Sequence, residues 1–85
     1  MLSYSLIQEA ANRLKKWVRR TELIPSHHFS EMLGVPILFK CENLQRTGAF
    51  KIRGALNFMT VQKREDLANG VITASAGNHA QGVAF

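Results

Sequence analysis

Two short apolar runs, VPILFKC at residues 35–41 and VITAS at residues 71–75, stand one helix-length segment apart. Both are β-rich in composition and both are followed by turn-forming residues, the pattern of short buried strands. Between them, the segment from about Phe50 to Val61 carries Phe50, Ile52, Ala55 and Leu56 at helical spacing. A further helical stripe precedes the first run, and GNHAQGVAF opens a helix after the second. The order helix, strand, helix, strand, helix predicts an α/β fold with a parallel sheet and flanking helices. Two parallel strands cannot cover themselves, so residues 1–85 read as the N-terminal portion of a larger fold, cut at Phe85 before any helix-closing residue.

The remaining elements follow from local signals. From Ser5, the residues Leu6, Ile7, Ala10, Ala11, Leu14, Trp17 and Val18 form one broad apolar stripe, and Ser5 with Gln8 has the spacing of a capping box. Pro25 ends whatever helix precedes it. SHHFSEMLG predicts a short helix with Ser26 as N-cap and Gly34 as its stop. ENLQRTG ends the first strand, and KREDLANG is a polar continuation and turn.

Composition narrows the setting. With 85 residues, the chain is one small domain at most, burying about 60–65% of its unfolded surface. The single cysteine, Cys41, cannot form an internal disulfide and fits a reducing compartment as a small hydrophobe. No apolar run is long enough to cross a membrane, and the first residues lack a basic start followed by an apolar core. A soluble cytoplasmic protein is expected. The net charge of +5 raises an anionic partner.

Two loops carry chemistry. In ITASAGNHA the small residues Ala74, Ser75, Ala76 and Gly77 lie between strand and helix, where backbone N–H groups are unpaired. Ser75, Asn78 and His79 add side-chain donors there, so a carboxylate or phosphate is one guest; an ordinary turn capped by Ser75 and Asn78 is the other reading. In TGAFKIRGAL, Lys51 lies between Phe50 and Ile52 near a helix start. Desolvation and the helix dipole both disfavour an ammonium there, which favours the free amine that attacks carbonyl compounds. Alternatively, the aliphatic stem lies on apolar surface while the charge reaches water. The residues alone leave both pairs of readings open.

CENLQRTGAFKIRGA, followed some twenty residues later by GVITASAGNHAQGVAF, resembles the threonine dehydratases, or threonine ammonia-lyases. These form a branch of the fold-type II pyridoxal phosphate enzymes that also includes serine dehydratases and serine racemases. RRTELIPS is similar to the family's Arg-Thr-x-Leu segment, so the resemblance covers nearly the whole chain. It implies that Lys51 holds pyridoxal 5'-phosphate covalently and moves the substrate α-proton, and that Phe50 packs beside the cofactor ring. It implies substrate-carboxylate contacts for Ser75, Gly77, Asn78 and His79, with Asn78 also bonding the cofactor 3′-hydroxyl. The implied reaction is β-elimination, deaminating L-threonine, or L-serine, to the 2-oxo acid and ammonia. The implied partner is a small amino acid, and the implied intact enzyme is a homo-oligomer. Racemising relatives often carry a serine where this chain has Ala76. Ala49 replaces the family's usual serine and Glu22 its common proline.

Other readings are weaker. RLKKWVRR sets Arg13, Lys15, Lys16, Arg19 and Arg20 around Trp17, as in a nucleic-acid-binding helix. Helical spacing instead puts Trp17 on the apolar stripe with Leu14 and Val18 and the charges on a solvated face. No nucleic acid and no membrane are expected as partners. His27 and His28 diverge on a short helix and lack further ligands at metal spacing, so no metal is expected. The same ancestry also admits an inactive truncated remnant, and the isolated 85 residues are expected to be inactive.

Overall fold

The computed structural model describes residues 1–85. In chain order the elements are α1 (Tyr4–Leu14), β1 (Leu23–Pro25), α2 (His27–Leu33), β2 (Leu38–Lys40), a 3-10 turn at Glu42–Leu44, α3 (Lys51–Thr60), α4 (Arg64–Leu67) and α5 (Asn78–Ala84). Helices flanking extended segments agree with the expected α/β class. The only paired strands, however, are antiparallel, with Leu23 opposite Lys40, Ile24 opposite Phe39 and Pro25 opposite Leu38. VITAS forms no strand, and Val71 and Ile72 stay exposed, at 50% and 100%. A strand exists only where a neighbour accepts and donates backbone hydrogen bonds. No segment of the 85 residues lies beside 71–75 in that way, so neither parallel pairing nor burial of this run is realised within the chain.

The helix limits test the local signals. Ser26 caps α2 through its Oγ, which accepts the Phe29 N–H at 3.3 Å, and Gly34 closes it at φ 68°, a left-handed conformation suited to glycine. α3 starts and stops as expected. The first helix is capped by Ser3, not by the Ser5–Gln8 pair: Ser3 has extended backbone and accepts the Leu6 N–H at 3.4 Å. α1 ends at Leu14 and is followed by a closing turn in which the Trp17 and Val18 N–H groups share the Leu14 carbonyl. The expected stripe is thereby broken. Leu14 is buried, whereas Trp17 lies outside the helix, 44% exposed, with Lys16 Nζ 5.2 Å from its ring centroid.

The core is small and sits around α3. Ile52 is fully buried, Ala55 nearly so, and α1 and α5 pack on α3 from different positions along the chain. The chain is elongated, with extents of 52 × 31 × 24 Å and a radius of gyration of 16.0 Å. A self-contained chain of this length has a radius near ~12 Å. Large side chains such as Phe58, Leu23 and Ile72 therefore remain exposed. No helix is long and apolar enough to cross a membrane.

Candidate active site

Lys51 is the first residue of α3. The chain reaches it through Gly48, at φ 73°, and enters the helix at Phe50, which provides no side-chain cap. With Ala49 and Phe50 at this entry, no hydroxyl is available to accept a first-turn N–H. Lys51 is exposed, not embedded among its apolar neighbours. Helix geometry explains the correction: Ile52 and Ala55 point inward, while Phe50 and Lys51 face outward, with Lys51 Nζ 5.1 Å from the Phe50 ring centroid. The amine makes no hydrogen bond or ion pair within the chain.

The second loop is brought to this helix by Gly82 of α5. A Cβ added at Gly82 would lie 3.1 Å from both Cα and N of Ile52 and 3.3 Å from the Lys51 carbonyl carbon. The missing side chain lets α5 settle this closely on the backbone of α3 at the lysine itself, where a Cβ would force a shift of a few tenths of an ångström. From Gly82 back to Asn78 is four residues, or about 6 Å of helical rise. The 75–78 loop therefore joins α5 within about one helical turn of this contact. Gly82→Ala will destabilise the protein by about 1–3 kcal/mol through overpacking. The roughly 1 kcal/mol that alanine gains over glycine in a helix does not offset this, since the opposing atoms are backbone. A lowered Tm is the expected measurement; an unchanged or raised Tm would contradict the close seat.

Within the loop, Ser75 Oγ accepts the Gly77 N–H at 3.1 Å, which holds the turn, and Gly77 is the N-cap of α5 without any side-chain cap. The capping role considered for Ser75 and Asn78 is thus not realised. Asn78 and Ser75 are exposed, and the Asn78 amide is uncommitted. His79 lines a groove of about 330 Å³ between α3, residues 71–73 and α5, alongside Phe58 and Val83.

A polar lattice on the other side of α3 was not foreseen from the motifs. Arg53, in the first turn, donates to Glu42 through Nε at 2.9 Å and Nη2 at 2.8 Å. Thr21 Oγ1 donates to the same carboxylate at 2.5 Å. Gln45, only 4% exposed, accepts the Arg19 N–H at 2.7 Å and donates to the Arg19 carbonyl at 2.9 Å. The Arg53 guanidinium holds the Glu42 carboxyl at about 2, against an ordinary 4.5; partial burial opposes this and the Thr21 hydroxyl adds to it. The Arg53 pKa is raised by the same pair. One signal was available: a cation in the first turn of a helix opposes the helix dipole and calls for a nearby carboxylate.

The donor set suits pyridoxal phosphate. A primary amine without a hydrogen-bond or ion-pair partner, an adjacent aromatic face and an uncommitted amide are presented on two elements in direct contact, and Thr47 Oγ1, just before the lysine helix, is buried without a partner. No group of acidic, histidine or cysteine side chains is placed to hold a metal.

A family model described as pyridoxal-phosphate dependent enzyme matches residues 14–85. The L-threonine ammonia-lyase of Geobacter sulfurreducens is 84% identical over all 85 residues, which span 21% of its length. The serine racemase of Dictyostelium discoideum is 42% identical over 79 residues, covering 93% of this chain and 24% of the racemase. The solved structure of maize serine racemase superposes with a TM-score of 0.85 at 43% identity, over 95% of this chain and 26% of that one. The chain thus spans about a quarter or less of the length of these relatives.

Proposed function

Because this chain belongs to the pyridoxal-phosphate dependent enzymes, we propose that it forms the lysine-bearing part of an ammonia-lyase for hydroxy amino acids. L-threonine is the first substrate and L-serine the second. The observation that carries this reading is the seat of Gly82 on the Lys51–Ile52 backbone, which joins the two site motifs. The 84% identity to an L-threonine ammonia-lyase supports threonine. A cytoplasmic homo-oligomer is proposed with it.

When bound, the cofactor supplies the electron sink for cleavage at the amino-acid α-carbon. Lys51 would hold it covalently, and the Lys51 amine would serve as the base for the substrate α-proton. Phe50 would lie against the ring, and the Asn78 amide would donate to the cofactor 3′-hydroxyl. Ser75, Gly77, Asn78 and His79 receive the substrate carboxylate, whose charge suits hydrogen-bond donors. The β-hydroxyl leaves as water; a water is consumed when nitrogen departs as ammonia, so L-threonine yields 2-oxobutanoate and ammonia. The test is 2-oxobutanoate release from L-threonine by the holoenzyme carrying this chain. Absence of release from both L-threonine and L-serine, with cofactor bound, would refute the proposal.

Relatives named serine racemase make reaction type a sharper question. Racemisation needs an acid on the face opposite the lysine, and the position where racemising relatives often hold serine is Ala76, a methyl with no proton to give. From L-serine the enzyme will form pyruvate with little D-serine. Comparable rates of the two products in a chiral assay would contradict it.

A further inference from the structure

Resting on that reading, we propose that Thr21, Glu42 and Arg53 are positioning residues for Lys51, a hydrogen-bonded clamp that fixes the start of α3 and thereby the cofactor-holding amine. The start of α3 has no side-chain cap and no acid in its first turn. It is held instead from outside the helix. Arg53 lies two residues after Lys51, and its planar fork meets both oxygens of Glu42, at 2.9 and 2.8 Å, which constrains rotation as well as distance.

The carboxylate is itself immobilised. Glu42 opens the 3-10 turn and accepts the Thr21 hydroxyl at 2.5 Å. Lys40 Nζ donates to the Thr21 carbonyl at 2.5 Å, and Gln45 bonds the Arg19 backbone through both its amide atoms. Arg53 Nη2 also reaches the Arg19 carbonyl at 3.4 Å. Segment 19–21, the turn at 42–46 and the first turn of α3 therefore form one lattice. None of its side chains bonds Lys51 or the 75–79 loop, so its effect on the site passes through the helix. A fixed helix start matters because a misplacement of an ångström or so can lower reactivity by about a hundredfold.

The test compares variants of the apo form of the intact enzyme during reconstitution with pyridoxal phosphate. Visible absorbance follows uptake, and borohydride trapping at Lys51 confirms its location. Thr21→Val will slow uptake about tenfold, and Thr21→Ser, which keeps the hydroxyl, will restore it to within about twofold. Leu14→Ala, which empties a buried position on α1, is the control for stability alone and will reconstitute at the wild-type rate despite a lower Tm. Should Thr21→Val not fold, Glu42→Gln is compared with Leu14→Ala in the same way. If the valine or glutamine variant matches Leu14→Ala in uptake, the clamp is structural only and the proposal fails. If the wild-type enzyme takes up no cofactor at Lys51, both the clamp and the function beneath it fail.

Discussion

Replacing Lys51 with alanine in the holoenzyme carrying this chain will abolish covalent retention of pyridoxal phosphate and lower ammonia release by about a thousandfold or more, as loss of a covalent nucleophile does. Competing amines are differently placed. Lys40 Nζ is committed to the Thr21 carbonyl, Lys16 Nζ lies over Trp17, and Lys63 is exposed just before α4. Lys51 alone is an uncommitted amine at a helix start beside an aromatic ring and against the helix that carries the second loop. Because it is exposed, its loss will change stability by less than about 0.5 kcal/mol. Borohydride reduction and peptide mapping decide the matter: a reduced pyridoxyl group on Lys40 or Lys63, with Lys51 unmodified, would sink the assignment.

Arg53→Met will destabilise the protein by about 2 kcal/mol. Stranding one partner of a fully buried pair costs about 3–5 kcal/mol, whereas an exposed pair contributes about 0–1. The side chains here are 33% and 15% exposed for Arg53 and Glu42, which places the cost between these limits. The effect depends on pH. The folded pKa of Glu42, about 2, lies below its ordinary 4.5. The pair's contribution is therefore fully present above about 4.5 and is lost as pH falls toward 2. In denaturant unfolding the gap between wild type and Arg53→Met will be largest near neutrality and will narrow across that acid window. A gap that stays constant from pH 7 to pH 3 would show that the carboxylate does not carry the effect.

The chemistry-bearing motifs were legible because they are local. TGAFKIRGA and SAGNHAQG each hold their residue types within about ten positions, and the caps of α2 and the limits of α3 are set by neighbours a few residues away. The cap of α1, expected at Ser5, falls at Ser3, where the backbone is extended and the side chain accepts the Leu6 N–H. The strand expected at 71–75 failed for another reason: apolar character reports what a segment can pair with, and pairing needs a partner.

What the chain by itself determined is the positions of α2, α3 and α5, the site motifs and the family to which their spacing points. Only the tertiary structure decided that Lys51 faces outward, that Gly82 is the seat joining the two loops, and that Thr21, Glu42 and Arg53 hold the lysine helix. Those contacts join residues 21, 11 and about 30 positions apart. Periodicity and capping act over one or two helical turns and carry no information at such separations. A glycine needed for close approach looks like any other glycine until the opposing backbone is in place, and an arginine in a first turn stays a local misfit until a distant carboxylate arrives beside it.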